Sequence, residues 1–453
     1  MRAGRLPGAT DGTIPLTPVA MDGRADNVYK SYIVCSLLLA VLVGFVLGIH
    51  VPLSQLLDAG RPERTADLVH AHGQVQLLGF AGLYVMGMSY RLIPRFSSSR
   101  IDLLWMVQPT LWLMVLGLLT KSMLLPLLDG DLHDAVLIGS TLCLLLASAC
   151  FLLITASTLV MARRADVSAY PFLLGALLLF VAMEVSFLAV VLAVKDGMRN
   201  PPYLAVGAML QLELTGFLIS FVLAVSSRAL PAMTGHERPE ASIRRTALAL
   251  TIAVLLLAGC LLCLEYVSYR AWVARLSDLS MVAIGAVLLH IVWIAGVLRP
   301  AANRVSPASR PHLWLVRSAF MWLACGGILA IYAGVSALAK DEIVTPPQFD
   351  ALRHLLAVGV VTILIVGMSL MILPEFAGQR LSANRQKWLA ILLSILLNGA
   401  VVLRVLPSLA GTGWSLDTRD ALLATAGGLA ELAMLVFSLS LLRLLARSAR
   451  ARV

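Results

Sequence analysis

Twelve runs of predominantly apolar residues, near 31–50, 70–93, 104–123, 135–161, 170–193, 203–229, 245–266, 274–297, 313–337, 352–373, 387–407 and 420–445, leave this chain few ways to fold. A run of about 20 apolar residues is long enough to cross a bilayer as a helix. Hydrocarbon offers no partner to the backbone, so a crossing segment must satisfy its own N–H and C=O groups. The chain is 59% hydrophobic and 13% charged, which is too apolar for a soluble core. The expected class is all-α, a polytopic membrane bundle of about twelve transmembrane helices.

Three of the runs share a signature. His70-Ala71-His72-Gly73-Gln74 runs on through Gly79 and Gly87-Met88-Ser89 to Pro94. Gln211 and Glu213 lead through Gly216 to Pro231, and His354 leads through Gly359 and Gly367-Met368-Ser369 to Pro374. In each copy a glycine precedes the proline by 15 residues, and the copies lie roughly 140 residues apart. Such a period points to a threefold internal repeat of four helices each, about 31–161, 170–297 and 313–445. The signature then falls on spans 2, 6 and 10, within one membrane domain over 31–445. Its glycines, Gly79, Gly87, Gly216, Gly359 and Gly367, suit close helix packing. Its prolines suit helix ends.

The net charge of +10 sits at loops and span ends, so it is no nucleic-acid signal. With both termini in the cytoplasm, 24 of the 35 Lys and Arg fall on that side and 11 on the other. That is the bias of the positive-inside rule, and it accounts for Arg91 and Arg228 at span ends. Residues 1–30 lack the h-region of a cleaved signal and read as a cytoplasmic tail, with 446–453 a second, basic one. The expected location is the bacterial inner membrane. The six cysteines all lie inside spans, which argues against disulfides and zinc clusters.

Ionisable side chains inside a span are costly and tend to face a bundle interior. On this topology His50, His70, His72, His133 and His354 lie towards the outer face, and His236, His290 and His312 towards the cytoplasm. On a regular helix, residues two apart point about 200° apart, so His70 and His72 are expected to face differently. His72 shares a face with Gln76 and Gly79, and a glycine two turns below a histidine leaves a flat recess. His72 lies 22 residues before Pro94 and His354 lies 20 before Pro374. At 1.5 Å per residue their depths differ by about 3 Å. Two imidazoles at one depth can clamp a haem iron, for which imidazole is a common axial ligand. His72 and His354 are the first candidates, with His70 a second ligand directed elsewhere. Span 6 has no histidine; it carries Glu213 about 15 Å into the membrane, a candidate proton or polar relay with Gln76 and Gln211. Glu184 and Glu431 are further acids within spans, expected to be protonated or paired with arginine.

Twelve spans, threefold repetition and histidines on spans 2 and 10 resemble subunit I of haem-copper oxidases and nitric oxide reductases. That resemblance implies a low-spin haem held by His72 and His354. Those enzymes need further histidines on spans 6, 7 and 10, which this chain lacks, so standard oxidase or nitric oxide reductase turnover is not expected. The chain is more closely similar to the NnrS family of bacterial membrane proteins. The similarity lies in His70-Ala71-His72 with Gly79-Phe80, Arg353-His354-Leu355-Leu356, Gly378-Gln379-Arg380-Leu381 and Val402-Leu403-Arg404-Val405-Leu406. It departs at Gly73-Gln74, where an acidic residue is usual, and lacks the family's histidine after the span 10 glycine turn. The resemblance implies b-type haem and copper, and a link to nitric oxide, denitrification and nitrosative stress, with a redox partner or a metal-handling role. Two rival expectations stand beside it: a secondary transporter of a small solute, given repeats and intramembrane acids, and a divergent haem-copper-oxidase-like subunit.

Overall fold

Each apolar run folds into one long helix, and no strand occurs among the described residues. The computed structural model describes residues 27–57, 62–128, 130–161, 170–193, 202–234, 240–268, 270–300, 310–376, 382–409 and 414–450. The twelve helices are α1 Val28–Leu56, α2 Thr65–Ser97, α3 Leu104–Leu127, α4 Gly130–Val160, α5 Tyr170–Ala193 and α6 Tyr203–Pro231, followed by α7 Glu240–Tyr266, α8 Ala271–Ala295, α9 Arg310–Lys340, α10 Pro346–Pro374, α11 Ala383–Leu409 and α12 Leu416–Ala446. All twelve are long and apolar enough to cross a membrane. The chain is a multi-pass, all-helical membrane protein. Most of the expected tail over 1–30, together with His236, Gly378-Gln379-Arg380-Leu381 and 451–453, lies outside the described residues.

The helices divide into an inner three and an outer nine. The apolar stretches of α2, α6 and α10 are 94%, 89% and 83% buried, against 33–50% for the others. The outer helices form a closed ring of contacts, α1–α3–α4–α5–α7–α8–α9–α11–α12 and back to α1. The ring explains its own composition. Its helices expose Leu, Ile, Val and Trp, among them Trp105, Trp112, Trp314 and Trp388, to the lipid side. The inner helices are buried almost all round, so polar residues on any of their faces are kept from lipid.

Each inner helix also contains a π-helical segment: Val75–Gly82, Gln211–Ile219 and Leu355–Thr362. Gly82 to Pro94, Ile219 to Pro231 and Thr362 to Pro374 are each twelve residues. The three segments touch one another pairwise at the centre of the bundle. A π segment closes i→i+5 hydrogen bonds and is often found at functional sites. It also breaks the 3.6-residue phase on which face assignments along a helix depend.

Three expectations change here. The prolines do not end the helices: helical winding continues beyond the span limits given above, to Thr234 in α6 and Phe376 in α10, and α2 runs past Pro94 to Ser97. Proline near the final turn removes one donor, and in α2 the chain closes behind it with Ser98 left-handed at φ 51° and Ser99 N–H bonded to the Pro94 carbonyl at 3.0 Å. Arg91 is not a solvated end charge but is 4% exposed, between the rings of Tyr29 and Phe376. Finally, α10 begins earlier than its apolar run. Thr345 caps it, with Gln348 Oε1 accepting the Thr345 N–H at 3.1 Å and prolines in the first turn. This is a capping box, and it places His354 two turns inside the helix rather than at its mouth.

The signature glycines serve as contact points with the ring. A Cβ on Gly87 would lie 2.6 Å from Cβ of Tyr32 on α1, and one on Gly359 would lie 2.9 Å from the ring of Trp322 on α9. Gly79 packs the same way, towards Leu39 and Leu118.

Candidate functional site

Between α2, α6 and α10, with walls from α1 and α5, lies a cavity of about 200 Å³, against about 40–60 Å³ in three other clefts. Phe45, Leu77, Met183, Phe187, Met209 and Val361 supply apolar wall, and His70, His72, Gln76, Glu213, Asp350, Arg353 and His354 supply polar groups. A mostly apolar pocket with a few convergent polar groups is the usual form of a cofactor or ligand site. Five of the six candidates from the sequence line it. Gln211 does not: it is buried beside the cavity and accepts a hydrogen bond from Thr215 Oγ1 at 3.0 Å.

His72 is held by α1. Its Nδ1–H donates to the Gly44 carbonyl at 2.8 Å. A carbonyl can only accept, so Nδ1 carries the proton and Nε2 keeps the lone pair. Gly44 closes a π segment of α1, Ala40–Gly44. One turn on, Gly48 gives the ring its space: a Cβ there would lie 2.8 Å from His72 Cε1. Gly44 does the same for Gln76, whose Cδ would lie 2.8 Å from an added Cβ. The recess expected from Gly79 is therefore made by α1 instead. The π segment starting at Val75 slips the phase of α2, which turns Gly79 away from the face of His72.

His354 has the same polarity by a different route. Its Nδ1–H donates to the Asp350 carbonyl at 2.9 Å, with Asp350 Oδ1 at 3.2 Å. The Asp350 carboxylate is itself gripped by α11. Arg404 Nη1 meets Oδ2 at 2.8 Å and Nη2 meets Oδ1 at 3.0 Å, and Ser408 Oγ donates to Oδ2 at 2.8 Å. A bidentate arginine fixes a carboxylate in direction as well as charge, and the carboxylate orients the imidazole. Both histidines thus face one cavity with Nδ1 protonated and Nε2 available as a ligand, the arrangement usual for metal-bound histidine.

His70 lines the same cavity. His70 and His72 thus border one cavity, although residues two apart on a regular helix face differently. Among the described residues, no group of three or more His, Cys, Asp or Glu side chains is placed to hold a metal ion. Of the other described histidines, His133 pairs with Asp134, His290 with Ser242 and His312 with Gln386, and His50 is exposed on α1, all apart from the cavity lining.

The acid of α6 sits at the cavity floor. Glu213 is 0% exposed, and neither carboxyl oxygen has a hydrogen-bond partner. Gln76 Nε2 is likewise buried without a partner. Glu184 on α5 is 1% exposed, and its electrostatic neighbour is Lys121 rather than an arginine. Lys121 reaches Gln74 Oε1 at 3.4 Å and lies 3.5 Å from the centre of the Phe187 ring. Lys121, Asp350, Arg353, Arg404, Gly44 and Gly48 are the site residues that reading by helix face did not find. A lysine in the last turns of span 3 was visible, and so was the Asp350 to His354 spacing of four.

No curated protein matches the chain. The family model for NnrS protein matches residues 32–448, from the second turn of α1 to the last turn of the final helix. The chain belongs to the NnrS family.

Proposed function

We propose that the cavity holds a b-type haem, which His72 and His354 would ligate, in a multi-pass protein of the bacterial inner membrane. The observation that carries this reading is the matched pair of imidazoles on one cavity, each with Nδ1–H tied to a backbone carbonyl and Nε2 left to bind. The donor set fits the group. A macrocycle already gives iron four nitrogens, so two imidazoles complete it, whereas an ion held by side chains alone needs three or four. When bound, the haem would supply one-electron chemistry. The chain's own residues fix the ligands, line the cavity with apolar surface and keep a carboxyl at its floor.

The role that follows is a response to nitric oxide or nitrosative stress, or electron transfer linked to denitrification. Two histidine ligands leave no open iron position, which favours electron transfer or sensing over turnover. His70, which lines the cavity with His72, is the reserve ligand and a second imidazole that copper could use. Glu213 and Gln76, polar and unpartnered beside the ligands, are placed to hold or pass a proton.

The test is an absorption spectrum of the detergent-purified chain, oxidised and reduced, after expression with sufficient haem. A Soret band with the sharp reduced bands of a six-coordinate, two-histidine haem is expected at about one haem per chain. A colourless protein that takes up no added haem and moves a small solute across vesicles instead makes the chain a transporter.

The Asp350 and Arg404 pair supplies a second check. Asp350→Ala removes the carboxylate beside His354, leaving its Nδ1–H only the backbone carbonyl of residue 350, and strands the Arg404 guanidinium. Loss of such outer partners costs roughly 10- to 100-fold in metal affinity, and a shift of that size in haem retention is expected. Asp350→Ala and Arg404→Ala combined should cost little more than either alone, since both remove one interaction. Additive effects would break the link between this pair and His354.

A further inference from the structure

Arg353 stands next to His354 on α10, lines the same cavity, and shares its charge neighbour, Asp350, with Arg404 and His354. Its Nε and Nη2 are buried without a hydrogen-bond partner among the described residues. The side chain lies over the Phe349 ring, 5.6 Å from its centre, interacts with Tyr203 of α6, and brings Nη2 to 3.9 Å from where a Cβ on Gly207 would be. It therefore reaches across from α10 to α6 at the cavity wall.

Charge balance at the wall is uneven. Asp350 is three residues before Arg353, but its oxygens are taken by Arg404, Ser408 and His354. Glu213 is the other acid lining the cavity, and both its oxygens are without partners, so it does not bind the guanidinium either. An arginine kept within a membrane bundle normally pairs with another group or serves a ligand. Its fork of donors matches a planar pair of oxygens.

We propose that Arg353 is an anion-anchoring residue, which takes a planar oxyanion of the carboxylate or nitrite class entering the cavity. Two sources share that chemistry: a propionate carboxylate of the tetrapyrrole, for which the inference rests on the haem reading, and a free oxyanion such as nitrite, for which it does not. In either case Arg353 positions the ligand and Tyr203 holds the guanidinium from the far side.

The experiment compares the full-length chain with Arg353→Gln in three titrations: haem, haem with both propionates esterified, and sodium nitrite followed calorimetrically. A hydrogen bond to a buried charge is worth on the order of 10- to 100-fold in affinity. If the tetrapyrrole is the source, the wild type prefers haem to its diester by that factor, and Arg353→Gln erases the preference. If a free oxyanion is the source, nitrite binds the wild type and the variant loses it. Absence of both effects, or their persistence in Arg353→Gln, overturns the proposal. Should Arg353→Gln fail to fold, the diester comparison and nitrite binding in the wild type and Arg353→Lys decide, since lysine keeps the charge without the fork. A chain that takes up no tetrapyrrole ends the haem reading and leaves the nitrite titration to decide this one.

Discussion

His354→Ala is expected to abolish stoichiometric haem binding, and His72→Ala to reduce it almost as far. Removing an axial ligand should exceed the roughly 10- to 100-fold cost of removing a partner behind it. The two variants are not equivalent, because the cavity offers unequal substitutes. His70 lines the wall beside His72, two residues back on the same helix. On α10 the neighbours of His354 are Arg353 and Leu355, and neither binds iron. His72→Ala should therefore keep a residual, altered spectrum that disappears in the His70→Ala/His72→Ala double variant. His354→Ala should keep none of the two-histidine signature. The check is Soret absorbance per chain together with the low-spin signal in electron paramagnetic resonance. Wild-type spectra in either single variant would remove these residues from the site.

The second large effect is expected from a residue that touches no ligand. Gly48→Leu should reduce haem binding to the level of His72→Ala. The Cβ alone would sit 2.8 Å from His72 Cε1 and 3.3 Å from Nδ1. The ring has little freedom to swing away, since its Nδ1–H is held by the Gly44 carbonyl at 2.8 Å. Nor can α1 retreat, because α12 packs behind it at the same level: a Cβ on Gly427 would lie 3.0 Å from the Gly48 carbonyl oxygen. Overpacking between three backbones this close has no cheap relief. The bundle should still assemble, because α1 contacts α2 and α12 along its whole length. Haem titration beside size-exclusion chromatography separates the two effects. A folded Gly48→Leu chain that binds haem normally would mean that His72 is held elsewhere.

The twelve helices were legible because lipid selects on composition, and apolar runs report it directly. All twelve helices match an expected span, and their ends differ mainly where polar turns such as Thr345-Pro346-Pro347-Gln348 extend a helix past its apolar run. The pairing of His72 and His354 in one cavity was legible from depth, since rise per residue barely depends on helix phase. Direction was not. Face arguments assumed 3.6 residues per turn, and a π segment begins three residues after His72 and one after His354. That is why Gly79 does not lie beneath His72. The support from Gly44 and Gly48 was hidden for another reason: glycines on α1 carry no mark of the distant side chain they accommodate. Arg404 was noticed as part of a segment, yet its grip on Asp350 joins residues 54 apart and needs the fold to appear.

The three π segments have a consequence for how such a bundle can be altered. Each one works as a rotational joint between the first half of an inner helix, which carries the histidines in α2 and α10, and the half that ends near its proline. One residue fewer would restore ordinary winding there and turn one half against the other by about 100°. Hydrogen bonding would be regained, yet every side chain on one half would face a new neighbour. The angular setting of the histidines is thus chosen separately from the packing of the opposite half. Sequence can drift in the proline-bearing halves without re-aiming the ligands, as long as residue number through each joint is kept.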